Sequence, residues 1–328
     1  MKKIVLLICL SIPLVSVAQD KPKLIVGIVV DQMRQEYLYR FNSKYSDGGF
    51  KRLMNDGFMM RNAHYNYVPT VTGPGHASVY TGTTPAYHGI ISNEWYDKNL
   101  KLVNTTIRPI GKGIVIVTSH YTLINDSAFV SVIYTINGNG VIKVDYQLDV
   151  KPGLPNIPKI GMQMGIEKTY TGIEWYGRGP LENYIDRRYG FDVGIYQRSL
   201  NDFIESYVVP QENGNRTDVR WMRLENTTAK NGLLIVADSL LSMSAWPWTE
   251  ENIQSARHTN KLKDAGYITL NIDMVQMGVG GNDSWSDVAA PLNQYQIPAR
   301  PYKYSFYIYS CKKADKQTTT QLVEKTRF

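Results

Sequence analysis

The sequence is short of the residues that carry most thiol and metal chemistry. In 328 residues there are two cysteines and five histidines. Cys9 lies in the apolar start of the chain, so cleavage after Ala18 would leave Cys311 alone, which excludes an internal disulfide. Two cysteines also exclude a thiolate zinc cluster. Long apolar runs are equally scarce: beyond residues 4–15 none approaches the ~20 residues of a membrane-spanning helix. Basic residues form no run either. The formal charge of +7 is spread along the chain, which argues against a nucleic-acid partner.

The composition that remains supports a packed core, with 43% hydrophobic and 20% charged residues. Tyrosine is abundant at 23 copies, a residue that suits half-buried strands. Lys2 and Lys3, the apolar stretch 4–15 and Ser16-Val17-Ala18 have the pattern of a secretory signal peptide over residues 1–18. Its removal lowers the charge from +7 to +5 and predicts a periplasmic or extracellular protein with no membrane attachment.

Two rhythms follow. Residues 24–30 form a continuous apolar run, as expected of a strand covered on both faces of a parallel sheet. Ser46-Asp47-Gly48-Gly49, then Phe50, Leu53 and Met54 at helical spacing, then Gly57, read as a helix start, stripe and stop. From about Gly113 the period becomes two. Residues 129–136 and 141–146 flank Asn137-Gly138-Asn139-Gly140, a hairpin signal. Ile268, Leu270, Ile272 and Met274 alternate with polar partners, as do Tyr302, Tyr304, Phe306 and Ile308. An antiparallel sandwich is expected here, followed by a polar, disordered tail over 313–328.

Asp31 ends the first apolar run. A carboxylate beyond the C-terminal end of a strand can bind a divalent metal, or it can cap the helix expected over 32–39. Thr72 precedes Gly73-Pro74-Gly75 and a row of helix formers. That arrangement can present a hydroxyl at a helix N-terminus, where anions are favoured, or it can be turn chemistry. With Val29-Val30-Asp31, residues 70–76 and residues 81–93 (Thr-Gly-Thr-Thr-Pro-Ala-Tyr-His-Gly-Ile-Ile-Ser-Asn), the segment 23–98 resembles the start of an alkaline phosphatase superfamily enzyme. The resemblance implies a truncated α/β fragment over 19–102. It also implies Asp31 as a zinc ligand, Thr72 as the nucleophile that becomes phosphorylated and Asn93 as a phosphate contact. The family's remaining Asp and His zinc ligands lie in downstream segments. His64, His76 and His88 are not the family's ligands, and His120 and His258 fall in the other domain, so the zinc site is incomplete.

Three later clusters combine amides, carboxylates, Gly turns and tryptophan: residues 174–184 (Glu-Trp-Tyr-Gly-Arg-Gly-Pro-Leu-Glu-Asn-Tyr), 210–221, and 277–285 (Met-Gly-Val-Gly-Gly-Asn-Asp-Ser-Trp). Such groups suit carbohydrate recognition, and they equally pin corners of a β fold. Arg178, Glu182, Asn183, Arg216, Asp218 and Arg220 are expected to be mainly structural. With Ala256-Arg257-His258-Thr259, these clusters resemble the small-chain domain of glycoside hydrolase family 2 β-galactosidases, over about 103–312. The resemblance implies a large antiparallel β super-sandwich. It implies that Trp285 stacks on a sugar in the site of a neighbouring barrel, and that a galactoside or other carbohydrate and a large-chain β-galactosidase are the partners. Magnesium and sodium of that family would bind mainly in domains this chain lacks. A retaining glycosidase needs two carboxylates about 5 Å apart; in the family both lie on the barrel, and Glu174, Glu182 and Glu212 fall in sandwich motifs instead. Three functional expectations result: a sugar-site domain that hydrolyses β-galactosides only with a barrel supplied in trans, a zinc-dependent phosphate monoesterase or phosphodiesterase, or a fused or misjoined chain with no activity of its own.

Overall fold

Asn137-Gly138-Asn139-Gly140 makes the turn that its sequence predicts. The Asn137 N–H donates to the Val141 carbonyl (3.1 Å) and the Gly140 N–H to the Asn137 carbonyl (3.0 Å), with Gly140 at φ +78°. This is a short loop closed by a glycine in the left-handed region, which an L side chain would strain. The Asn137 side chain accepts from Asn139 N and Val141 N, each at 3.0 Å. The turn joins β4 (Ala128–Ile136) to β5 (Ile142–Val150), whose residues pair from Ala128↔Val150 to Ile136↔Ile142.

The structure is a computed structural model that describes residues 27–60, 63–68, 70–88, 90–96, 102–111, 113–226, 228, 231–281 and 289–312. The expected signal peptide and tail, and Trp285, lie outside these residues. The described chain divides into two compact units, one ending at His64 and one beginning at Tyr65.

The first unit contains α1 (Glu36–Arg40), a 3₁₀ turn at Asn42–Lys44 and α2 (Phe50–Asp56), and no strand among its described residues. Helix α2 stops at Gly57 as expected. It starts from Gly49, without a side-chain cap. The strand expected over 24–30 does not form in its described part, residues 27–30, and Ile28 is 75% exposed. An all-apolar strand needs neighbouring strands and covering helices on both faces, and none is described around this one. Asp31 sits in a turn, and α1 begins only at Glu36, so Asp31 is not its N-cap. Phe58 (90% exposed) and Met60 border an open apolar groove of about 530 Å³ in this unit.

The second unit holds α3 (Thr72–Thr81), α4 (Pro85–His88), β1 (Glu94–Tyr96), β2 (Leu102–Gly111), β3 (Ile114–Leu123), β4, β5, β6 (Lys159–Glu167), β7 (Gly172–Gly179), β8 (Asp192–Ser199), α5 (Leu200–Phe203), β9 (Arg216–Asn226), β10 (Asn231–Trp246), α6 (Glu250–Ser255), β11 (Tyr267–Gln276) and β12 (Tyr302–Lys312). The protein is mostly β. The strands form one antiparallel sheet in the order β1-β2-β3-β4-β5-β12-β10-β9-β7-β8, with β11 and β6 branching from β10. Strand β10 makes the branch. Its residues 231–237 pair with β12 and 242–246 with β11, while β9 runs along its other edge with register shifts between Val236 and Met243.

The two branches enclose one core. Val132, Val144, Trp175, Met222, Leu224, Ile235, Leu270, Ile272 and Phe306 belong to it. The Tyr304 hydroxyl on β12 donates to the Ile272 carbonyl of β11 (2.7 Å), which ties the branches across the core. Cys311 is free and buried. Among the described residues no helix is long and apolar enough to cross a membrane.

The alternation expected of β11 is present, and its polar side is also covered. Thr269, Asn271 and Asp273 are all buried. Their register partners are Trp246, Ser244 and Ser242 on β10 and Gly165, Gln163 and Gly161 on β6, and the start of α6 is fastened to β6. Glu250 pairs with Lys159 (3.0 Å) and accepts from Gln163 (2.8 Å). Thr269 donates to the Trp248 carbonyl (2.6 Å) and Asn271 to Ser244 (2.9 Å). Neither carboxyl oxygen of Asp273 has a hydrogen-bond partner. Burial pushes this carboxyl well above the usual range, and the nearby Lys159 ammonium offsets that only in part.

A pH dependence follows from Asp273. An unfolded aspartate titrates near pH ~3.9. Above that pH the folded protein keeps a proton that the unfolded chain releases. The associated stability is therefore full at acid pH and is lost as pH rises toward the folded pKa. Asp273→Asn keeps the shape and removes the titration. In thermal melts the Tm of the variant, relative to the parent, is expected to rise from about pH 4 toward neutrality; parallel curves would show that Asp273 does not titrate in this way.

Candidate functional site

The motif around residues 174–184 starts on β7 and continues into the loop before β8, and that of 210–221 runs into β9, which pairs with β7. Register alone therefore places them together. The hydrogen bonds between them are dense. Asn183 N–H donates to the Asn215 carbonyl (2.8 Å), and Asn215 Nδ2 returns a bond to the Asn183 carbonyl (2.8 Å). Asn183 Oδ1 accepts from Thr217 N (2.9 Å) and Thr217 Oγ1 (2.5 Å). Glu182 accepts from Arg187 (2.5 Å), Gly214 N (2.8 Å) and the Tyr207 hydroxyl.

Two arginines share one aspartate. Arg178 Nε donates to Asp218 Oδ2 (2.5 Å) and an Arg188 nitrogen to Oδ1 (2.9 Å). Asp218 has φ +54°, a conformation uncommon for a residue with a Cβ, and the two guanidinium groups hold it there. Arg220 donates to the Asp218 carbonyl (2.8 Å) and lies over the Tyr176 ring. Arg216 is fully buried. Its guanidinium lies 4.3 Å from the Phe203 ring centre and 5.1 Å from that of Trp175. It donates to the carbonyls of Asn215, Pro180 and Phe203. Burial lowers its pKa to about 10, still charged at neutral pH. These residues hold the loops in place, as expected for Arg178, Glu182, Asn183, Arg216, Asp218 and Arg220.

The three tempting glutamates are likewise engaged. Glu174 is buried and pairs with Arg223 (2.7 Å), which also holds Glu225 (2.7 Å). Glu182 carries the bonds given above. Glu212 pairs with Lys159 (3.5 Å), and burial raises its pKa against that partner's pull. Their binding to three different sets of basic or donor groups fits structure rather than a carboxylate pair at a sugar.

The third motif joins the other two through Asp186, which follows the first. Asp186 Oδ2 accepts from the Gly280 N–H at 2.8 Å. Trp285 itself lies outside the described residues. Asp186, Arg187, Arg188, Tyr207 and Lys159 were missed in the sequence. For the first three a signal existed, since Asp186-Arg187-Arg188 adjoins a motif rich in charge and turns.

Thr72 is the first residue of α3, and Asn93 reaches the same end of that helix. Asn93 Oδ1 accepts from the Gly73 N–H at 2.6 Å. Both line an open depression of about 390 Å³ with Glu94 and residues 104–107. The helix end has little left for an anion. Gly73 N–H is taken by Asn93, Pro74 has no N–H, and Gly75 N–H donates to the Val71 carbonyl (3.0 Å). His76 Nδ1 lies 2.9 Å from the Thr72 carbonyl. Asp31 belongs to the first unit. Among the described residues no group of three or more His, Cys, Asp or Glu side chains could hold a metal ion, so the donors present do not fit the zinc that the N-terminal resemblance implies.

Replacing Arg216 tests the structural role of the cluster. Arg216→Ala leaves three buried carbonyls without their charged donor. The expected loss is roughly 3–5 kcal/mol in urea denaturation of the β unit. Arg216→Lys is expected to recover little, because an ammonium cannot stack between two rings and reach three carbonyls at once.

Comparison with known proteins assigns this architecture. Residues 72–308 match the family described as beta galactosidase small chain. A β-galactosidase of Priestia megaterium is 34% identical over 192 residues, 58% of this chain and 18% of that protein. One of Pseudoalteromonas haloplanktis is 34% identical over 174 residues, 53% of this chain and 16% of that protein. Alkaline phosphatase PafA of Elizabethkingia meningoseptica is 54% identical over 99 residues, 29% of this chain and 18% of that protein. The chain thus spans about a fifth of the length of the curated relatives it matches. By its match over residues 72–308 the chain belongs to the β-galactosidase small-chain family, and its N-terminal part is similar to alkaline phosphatases.

Proposed function

We propose that this chain is a sugar-site domain of the glycoside hydrolase family 2 type, completing a β-galactosidase when a large chain supplies the catalytic barrel. The observation that carries the reading is the convergence of the three motifs. Residues 182–186 are bonded to 213–217 on one side and, through Asp186, to Gly280 on the other, and the Gly281 N–H donates to the Ala289 carbonyl. Glu174, Glu182, Glu212 and Asp218 are engaged in ion pairs, so in this reading the acid and the nucleophile come from the partner. The role left to this chain is to hold one wall of the site and present an indole face to the sugar.

The alternative of phosphate monoester hydrolysis has the N-terminal relatives in its favour. The donor set and the occupied N–H groups at Thr72 speak against it.

Mixing the chain with a family 2 large chain is expected to give co-elution and release of the aryl group from an aryl β-galactoside, with no release by this chain alone. Trp285→Ala is expected to lower kcat/KM of the mixture at least about tenfold, the scale of one lost aromatic stacking contact plus its apolar burial. Thr72→Ala is expected to leave it unchanged. A mixture that neither associates nor turns over, or whose rate ignores Trp285→Ala, would remove this reading.

A further inference from the structure

The segment 204–213 before β9, Trp248 between β10 and α6, and the 3₁₀ turn Thr259–Lys261 close around a cavity of about 110 Å³. Its walls are fixed by bonds within this chain. The Glu205 N–H donates to Asn213 Oδ1 (3.3 Å), and Asn213 Nδ2 donates to the Gln211 carbonyl (2.8 Å). Thr249 caps α6 by accepting from the Asn252 N–H (3.1 Å). The Asn252 side chain accepts from the Lys263 N–H (2.7 Å), which ties the turn to the helix. Thr269 Oγ1 donates to the Trp248 carbonyl (2.6 Å). The walls are thus set by the fold itself, which spares an occupant the cost of ordering them.

The lining is mixed in character. Ile253 on α6 and Leu262 give it an apolar wall, and Trp248, half-buried, adds an indole. Glu205 contributes a half-buried carboxylate, and Ser206 and Thr259 contribute hydroxyls. Among the described residues the side chains of Glu205, Trp248, Ser206 and Thr259 make no hydrogen bond or ion pair. Arg216 attracts the Glu205 carboxylate without a bond between them. The set therefore holds one charged acceptor, one indole N–H that can only donate, and two hydroxyls that do both. An alkylammonium ion would use the acceptor and leave the donor unmet. An anion would use the donor and be repelled by Glu205. A compound whose every polar group both donates and accepts can use all four, and that is a polyhydroxyl compound. An indole beside an apolar wall suits the C–H face of a pyranose. Pockets for drug-sized ligands run to ~300–1,000 Å³, so this smaller one admits a single ring rather than an oligosaccharide.

We propose that this cavity binds a single hexopyranose residue. The Glu205 carboxylate and the Trp248 indole N–H hold its hydroxyl groups, and Ile253 and Leu262 take its C–H face. All of the lining belongs to this chain. Binding therefore needs no large chain, and it stands or falls separately from the β-galactosidase reading. The domain can hold carbohydrate by itself, as a free sugar or as the terminal residue of a glycan.

The experiment titrates the full chain, carrying isotope-labelled tryptophan, with methyl β-D-galactopyranoside and reads the indole N–H signals by NMR. The Trp248 signal, assigned with Trp248→Phe, is expected to shift saturably. Trp175, whose indole donates to the Arg178 carbonyl (2.9 Å), and Trp246, whose indole N–H is buried, are expected to stay in place. Glu205→Ala removes a side chain that no other side chain bonds, so Tm is expected to hold. Its Kd is expected to rise at least about tenfold, the scale of one hydrogen bond to a charged group. Glu205→Gln keeps the shape and a neutral acceptor, and its Kd is expected to rise about threefold. An unmoved Trp248 signal overturns the proposal, and so does an affinity undiminished in both Glu205 variants. A response to butylammonium or to sorbitol as strong as that to the glycoside also overturns it, because the cavity would then read charge, or any polyol, rather than a pyranose.

Discussion

Strand β10 is the element on which both branches of the sheet depend. Its sixteen residues serve three partners, β12 with the first part, β11 with the last, and β9 along the opposite edge. A strand can do this only if its register is broken where one partner leaves and the next arrives. The shifts between Val236 and Met243 are that break. Because β10 turns there, Ile235 and Met243 can reach one core from the two arms of the sheet. The core in turn fixes β7 and β9 and brings their loops side by side.

The loops are held by charge rather than by apolar packing. Buried charges are tolerated only when their partners are close and their remaining donors are used. Asp218 lies between two arginines and Arg223 between two glutamates, while Arg216 sits between two rings and donates to three carbonyls, with its Nε buried and unpartnered. The arrangement gives directional rigidity to loops that carry little apolar surface. It also explains why residue types associated with sugar recognition are abundant here while few of them are free to recognise a sugar.

Much of the β unit could be read from the sequence. The hairpin at residues 137–140, the alternation of β11 and β12 and the structural role of the arginines all rest on local rules of periodicity and turn chemistry. The covered polar side of β11 could not be read, because alternation reports which residues share a face and not what lies over each face. Here Gly161, Gly165 and two serines stand beside the polar residues in register, and Glu250 at the start of α6 is tied to Lys159 and Gln163 of the adjoining strand β6. The bond from Gly280 to Asp186 was hidden for a related reason. It joins residues 94 positions apart, and the charge-rich sequence around Asp186 does not name the distant partner. The apolar run at 24–30 shows the opposite failure. Its composition is that of a buried strand, yet among the described residues no strand lies beside residues 27–30.

The short hairpin of β1 and β2 has a wider meaning. Glu94, Trp95 and Tyr96 pair with Asn104, Val103 and Leu102. The first three close the segment whose sequence resembles alkaline phosphatases, and the others begin β2, the first long strand of the sheet. Main-chain N–H and C=O groups are the same in every residue but proline, so a sheet edge pairs largely without regard to sequence. A segment of any sequence can therefore extend such an edge without complementary side chains. An open strand edge, a hazard in most proteins, is thus also a place where a sheet can take on further chain and stay continuous.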